Sequence, residues 1–149
     1  MTGLPFALNL AEPATSGVYR VGNRDLDSVA ALARDAGLRL CRIDLHGCTG
    51  KAMLLMRIAA QLDFPNGFGR NWDALSKGLC DLSWLTAMTG YALLLEDAGA
   101  LQSLAREEFD LLLKTLDDAA KEWARQGISF VAFLGDTQVA EDESGDPLG

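Results

Sequence analysis

The sequence predicts an α/β fold in which helices pack on a small, three-stranded parallel sheet. Three strand-length apolar segments, near residues 40, 92 and 129, are separated by segments with helical periodicity, an alternation that is typical of parallel sheets. Two of them, YALLLED and ISFVAFL, are almost uninterrupted apolar runs, as expected of strands covered on both faces. With 149 residues, 49% of them hydrophobic, the chain is most simply one domain with a sizeable core.

Residues 1–38 are predicted to form an N-terminal extension that packs on this domain. Within the extension, GVYRV is a candidate short strand, and apolar residues between positions 26 and 36 recur with helical spacing. The domain itself is expected over residues 39–134. Residues 135–149 contain five acidic and no basic side chains, which predicts an acidic, disordered tail.

Inside the domain, the first strand and the first helix follow from two different periodicities. Cys41, Ile43 and Leu45 alternate with polar residues, which predicts a half-buried strand. The apolar residues from 53 to 62 then recur with helical spacing. This helix is expected to end at Phe64, because the residue before a proline is disfavoured in the helical conformation.

The second helix of the domain is predicted over residues 71–84 and has two different faces. At about 100° per residue, the apolar face consists of Trp72, Leu75, Leu79 and Leu82. The opposite face, which is offered to solvent or to a partner, consists of Asp73, Lys77, Cys80, Asp81 and Trp84. After the strand YALLLED, a long helical stretch that breaks near Arg106 leads to the last strand.

Composition and charge exclude several classes of function. The net charge of −8 argues against nucleic-acid binding, which requires a basic surface. No apolar run reaches the roughly 18 to 20 residues of a membrane span, and the N-terminus lacks the regions of a signal peptide. We therefore expect a cytoplasmic protein without membrane contacts. The three scattered cysteines indicate reduced thiols.

The sequence predicts neither a metal site nor a catalytic site. Asp44, His46 and Cys48 alternate at the end of a strand, but no paired cysteine or histidine spacing supports a metal, so we interpret them as a polar strand end. GFGRNW has two of the three glycines of a dinucleotide-binding motif, yet it follows a helix and a proline turn instead of a strand. In nucleophilic hydrolysis, the only histidine, His46, would have to serve every acid–base role. We expect no enzymatic activity and no cofactor.

The order of several short motifs resembles the barstar family of intracellular ribonuclease inhibitors. The motifs are FP with FGRNWDAL, then LCDLSWL, then YALLLED, and GISFVAFL after a long helix, and they span about residues 40–134. The most specific of them is FGRNWDAL, at a loop–helix junction. The resemblance implies a barstar-like fold with three parallel strands and no catalytic activity. It also implies that a loop and helix, here residues 67–84, plug the active site of a basic ribonuclease.

The resemblance further implies which residues contact the partner. Phe68, Gly69, Asn71 and Asp73 match positions that the family uses for binding. In the family, carboxylates from this region occupy the places of RNA phosphates, while the loop backbone and aromatic side chains fill the rest of the cleft.

Lys77 departs from the family pattern. One turn beyond Asp73, the family prototype carries the carboxylate that enters the phosphate pocket, whereas this chain has a lysine. Two acids are candidates for the displaced charge: Asp81, one turn later, and Asp118, on the long helix. Trp84 completes the predicted partner-binding set if the helix reaches it, and burial of Trp84 in the core is the alternative.

The same residues also have interpretations that need no partner. Asn71 is a good helix N-cap, and a carboxylate at Asp73, in the first turn, favours the helix dipole. Lys77 is spaced for an intrahelical ion pair with Asp73 or Asp81. Phe68 is compatible with packing on the core.

Two functions are therefore expected. The first is a monomeric inhibitor of the immunity or antitoxin type that binds a basic ribonuclease or nuclease toxin in a one-to-one complex. The alternative is an interaction module that keeps the fold and binds a different partner without inhibiting it, as Lys77 suggests. The two differ in whether binding requires the active-site cleft of a nuclease.

Overall fold

The computed structural model describes residues 10–65, 71–85 and 89–136, and its centre is a fully parallel sheet. The sheet has four strands, which corrects the three-stranded sheet expected from the sequence. In spatial order the strands are β1 (Gly17–Gly22), β4 (Ser129–Asp136), β3 (Gly90–Glu96) and β2 (Leu38–Asp44).

The additional strand is β1, which contains the GVYRV segment of the predicted extension. It pairs with β4 along its whole length, from Gly17 opposite Val131 to Gly22 opposite Asp136. The two strands lie at opposite ends of the sequence, so no local pattern indicates that they pair. The sequence therefore predicted a strand here without placing it in the sheet.

The path of the chain places helices on both faces of the sheet. From β1 the chain crosses to the far edge through α1 (Leu26–Asp35) and enters β2, and it then returns one strand at a time through β3 to β4. Parallel crossovers are right-handed, so this reversal of direction puts α1 on the face opposite to the later helices.

Each face of the sheet has its own apolar core. In β3, Tyr91, Leu93 and Leu95 point into the larger core, while Ala92 and Leu94 point into the smaller core under α1. All five of these side chains are buried. The continuous apolar run in this strand is thus explained by burial on both faces, as predicted.

The larger core is covered by four helices. They are α2 (Lys51–Gln61), α3 (Trp72–Leu79), α4 (Gly99–Leu104) and α5 (Arg106–Arg125). The break between α4 and α5 lies at Ala105, next to the predicted position. None of the described helices is both long and apolar enough to cross a lipid bilayer.

Helix α3 is shorter than predicted and ends five residues before Trp84. Leu82 adopts a left-handed backbone conformation with φ of 48°, and its side chain is fully buried. Leu82 was predicted to be buried as part of a longer helix. It is buried, but it lies in the turn that follows α3. Because the chain leaves the helix axis here, the helical wheel does not determine where Trp84 points.

Strand β4 forms the C-terminal end of the described chain and also contacts its N-terminal end. Ser129 is fully buried, and its hydroxyl donates a hydrogen bond of 2.5 Å to the carbonyl of Leu10. Strand β4 runs to Asp136, so the first two residues assigned to the acidic tail belong to the sheet. The rest of that predicted tail, residues 137–149, lies outside the described residues.

Candidate functional site

The predicted loop–helix junction is built around Asn71, which caps α3. Its backbone is extended, and its side-chain oxygen accepts a hydrogen bond of 2.7 Å from the N–H of Ala74. This bond satisfies one of the N–H groups that have no partner inside a helix, so it fixes where α3 begins. Phe68 and Gly69, which precede it in the predicted site, lie outside the described residues.

The inner side of α3 is fixed to α5 near both of its ends. Leu75 and Leu79 are fully buried between the helices and the sheet. At the start of α3, the indole N–H of Trp72 lies 3.3 Å from Oε1 of Glu108, and at its end, the indole of Trp123 donates to the carbonyl of Leu79 at 2.7 Å. Helix α3 is thus held at two points along α5.

The outer side of α3 carries an ion pair of two exposed side chains. Asp73 and Lys77 are 77% and 78% exposed, and the Lys77 ammonium lies 3.2 Å from Oδ2 of Asp73. This confirms the predicted intrahelical pair with Asp73. The carboxylate expected to enter a nuclease cleft is therefore partly neutralised by its own helix.

Two further predicted acids lie near the end of α3. Asp81 is exposed just beyond the helix, and burial together with the charge of Asp81 raises the pKa of Tyr91. Asp118 projects from α5, where the hydrogen bond and charge of Lys114, 2.8 Å away, lower the pKa of Asp118. Burial and, to a smaller extent, the charge of Asp118 raise the pKa of Cys80.

Trp84 does not project outward from α3 as the wheel predicted. Its indole N–H donates to the carbonyl of Leu62 at 2.8 Å, and its ring packs edge-on against Phe64 with centroids 5.2 Å apart. Phe64 in turn lies against Gly78, where an added Cβ would overlap the aromatic ring. We call Phe64, Gly78 and Trp84 the aromatic clamp. It holds the chain just before residues 66–70 against the end of α3.

Glu108 and the aromatic clamp are features that the sequence interpretation missed. Glu108 precedes the buried Leu112 by one turn and so lies beside the apolar stripe of α5. That spacing was an available signal. The role of Gly78 had no signal in the sequence, because it depends on a ring that arrives from a different segment.

Among the described residues, no three side chains of the metal-binding types are grouped so that they could hold an ion. Nδ1 of His46 lies 2.7 Å from Asp97, and the side chain of Asp44 accepts from the backbone N–H of His46. Cys48 is buried, and burial raises the pKa of its thiol. These contacts account for the polar strand end without a metal. Cys41, Cys48 and Cys80 are all free thiols.

Comparison with known proteins supports the resemblance on which the site was predicted. The chain matches the family described as Barstar (barnase inhibitor) over residues 38–135, about two thirds of its length. The matched region contains β2, β3, α2 to α5, all of β4 except its last residue, and the whole candidate site. A search of curated proteins finds no match. The extent of the family match, together with the parallel sheet and its covering helices, shows that this chain belongs to the barstar family.

Proposed function

We propose that this protein is a stoichiometric inhibitor of a ribonuclease, and that it blocks the nuclease active site with residues 67–84. The family is one of protein inhibitors and not of enzymes. We further propose that it acts as a monomer in a one-to-one complex, as an immunity or antitoxin protein does. Occlusion of a cleft requires only a single inhibitor molecule.

The observation that carries this proposal is that Asp73 is exposed on a helix whose position is fixed. Its exposed carboxylate projects from a helix that Asn71 caps and that hydrogen bonds fix to α5 near both ends. Because the helix is fixed, its backbone loses little conformational freedom when Asp73 binds a partner, which favours affinity. It is therefore suited to occupy a position that a nuclease provides for an RNA phosphate.

The overall charge supports the same partner class. The inhibitor carries a net charge of −8, whereas a cleft that binds RNA phosphates is cationic. Opposite charges speed the encounter of two proteins. The complex of barnase and barstar is itself a standard measured example of this effect.

The proposed contact surface extends from α3 to its neighbours. Asp73 is its centre, and Asp81 and Asp118 are the acids available near the far end of α3. Phe68 and Gly69 are proposed to fill the cleft beside Asp73. Trp84 has contacts within the protein instead, and we propose that it acts indirectly by positioning the chain before residues 66–70.

An inhibition assay tests the proposal. Purified protein would be titrated into RNA hydrolysis by barnase and by any nuclease encoded beside its gene, which we call the cognate nuclease. We expect complete inhibition of the cognate nuclease at one equivalent. In Asp73→Ala, inhibition should weaken by about 30-fold or more, the equivalent of a hot spot of about 2 kcal/mol. The free energy of unfolding should change by less than about 1 kcal/mol.

Asp117→Ala is the matched control for Asp73→Ala. Asp117 also forms an exposed ion pair with the lysine four residues later, Lys121, at 3.0 Å. It lies nine residues after Glu108, roughly 180° around α5, and so faces away from α3. Inhibition by Asp117→Ala should equal that of the wild type. The proposal fails if the wild type inhibits neither nuclease, or if the two alanine variants inhibit equally.

A second candidate function is favoured by the ion pair between Lys77 and Asp73. If the fold has been adapted to a partner other than a nuclease, the neutralised pair would be part of a different surface. Such a partner would still bind Asp73→Ala but would need Lys77. Affinity measurements with that partner and the two variants would separate this function from nuclease inhibition.

A further inference from the structure

We propose that Lys77 determines the specificity of this surface by selecting a nuclease cleft of mixed charge. In such a cleft, an acidic side chain lies about one helical turn from the cationic group that receives Asp73. This inference rests on the proposed function and specifies the partner. A cleft whose facing side chains are all cationic would be rejected.

The geometry of α3 makes Asp73 and Lys77 a single unit for any partner. The residues are four apart, so their side chains leave the same face of the helix, and their charged atoms lie 3.2 Å apart. Both side chains are more than three quarters exposed, and they lie on the side of α3 opposite the buried Leu75 and Leu79. A partner that covers Asp73 also covers Lys77.

An all-cationic cleft has no favourable way to bind this unit. If Lys77 keeps its ion pair, Asp73 enters the cleft with its charge already compensated. If the pair breaks, Lys77 is brought close to cationic groups while water is excluded, and like charges in that situation oppose binding. In either case the lysine acts against such a partner, which is a common way to build specificity.

A cleft of mixed charge pairs with both members of the unit. Active sites that cleave RNA often contain such a couple, because a carboxylate that acts as general base works beside the cations that hold the phosphate. A carboxylate opposite Lys77 and a cation opposite Asp73 would replace one intrahelical ion pair with two pairs across the interface. The surface thus fits the catalytic centre itself, where the base and the phosphate-binding groups are adjacent.

The test uses the full chain and the cognate nuclease. The variants are Lys77→Glu and the neutral Lys77→Gln. Lys121→Glu is the control, because it makes the same charge change in another ion pair of the same spacing, with Asp117, whose side chain is 44% exposed. Circular dichroism and urea unfolding would establish that each variant is folded. The measured quantity is the inhibition constant of each variant against the cognate nuclease.

We expect Lys77→Glu to inhibit the cognate nuclease at least 10-fold more weakly than the wild type does. The inhibition constant of Lys77→Gln should lie between those of the wild type and Lys77→Glu. Lys121→Glu, which acts only indirectly through Asp118, should change the inhibition constant much less than Lys77→Glu does. The inference is overturned if Lys77→Glu and Lys121→Glu behave alike, or if Lys77→Glu leaves inhibition of the cognate nuclease unchanged. Inhibition by the wild type together with either result would leave the proposed function standing. An absence of inhibition by every protein would overturn both.

Discussion

Gly78 shows how a single residue fixes the relation between α3 and the segment before residues 66–70. In an open helical position, Gly→Ala stabilises a protein by about 1 kcal/mol. At Gly78 the new methyl group would overlap the ring of Phe64. We therefore predict that Gly78→Ala destabilises the protein by about 1–3 kcal/mol, the usual cost of overpacking. Urea unfolding measures this difference.

The partner of this clash provides the control. In a Phe64→Leu background the ring is absent, so the same Gly78→Ala change should recover most of its intrinsic helical benefit. A double-mutant cycle would then give a large coupling between the two positions. Equal destabilisation by Gly78→Ala in both backgrounds would mean that the contact with Phe64 is not the cause.

For single residues, the sequence predicts interactions between side chains that are close together along the chain. The N-cap of Asn71 and the ion pair of Lys77 with Asp73 are set by spacings of three and four residues, and the structure confirms both. The position of Trp84 was not predictable in this way. It depends on contacts with Leu62 and Phe64, which belong to another segment of the chain.

The attachment of α3 to α5 is a property of the two helices together. Trp123 is almost fully buried, and its indole donates to the carbonyl of Leu79, whereas the indole of the half-buried Trp84 donates to that of Leu62. Trp→Phe removes the donor in each case. A buried carbonyl without a partner costs about 1–3 kcal/mol. We predict that Trp123→Phe destabilises the protein by about this amount and Trp84→Phe by less.

Because the two substitutions remove the same atoms, each serves as the control for the other. Guanidinium unfolding followed by circular dichroism would rank them, since this signal does not depend on the tryptophan that was removed. If Trp84→Phe were the more destabilising variant, the aromatic clamp and not the attachment to α5 would be the stronger fixed point of α3.

Among the elements, those defined by periodicity were predicted and those defined by long-range contacts were not. The apolar run of β3 and the break before α5 follow from local patterns of apolar side chains, which are buried in the core. The early end of α3 depends on burial of Leu82 in a left-handed conformation, and the place of β1 depends on pairing with β4. Neither interaction leaves a local pattern in the sequence.

The central sheet has apolar side chains on both faces, and both faces must be covered for the protein to be stable. The segment 10–37 supplies β1 and α1, which cover Leu94, Val131 and Phe133 in the smaller core. We predict that a chain starting at Leu38 exposes this apolar surface. It should bind the dye ANS, aggregate, and lack a cooperative unfolding transition, because apolar surface of this kind must be removed from water for stability.

Addition of the missing segment is the corresponding control. If residues 10–37 supplied as a separate peptide restore cooperative unfolding to the shortened chain, the defect is loss of cover and not damage to the remaining fold. Cooperative unfolding of the shortened chain alone, at the midpoint of the full chain, would contradict the prediction. It would instead support a self-sufficient domain over residues 39–134 with an extension added to it.

The net charge of the whole molecule should act on the rate at which the complex forms. Residues 137–149 contain four acidic and no basic side chains, so their removal changes the net charge from −8 to −4. At low salt, we predict that this truncation slows association with a basic nuclease several-fold and leaves dissociation unchanged, because net charge mainly steers the encounter of two proteins.

Ionic strength separates this effect from direct contact. At about 1 M salt the screening length falls to about 3 Å, so the association rates of the full and truncated chains should become equal. Replacement of the four acids by their amides in a chain of full length should reproduce the truncation. Stopped-flow fluorescence would give both rates. A faster dissociation of the truncated chain that persists at high salt would show that the segment touches the nuclease, and the contact surface would then extend beyond α3 and α5.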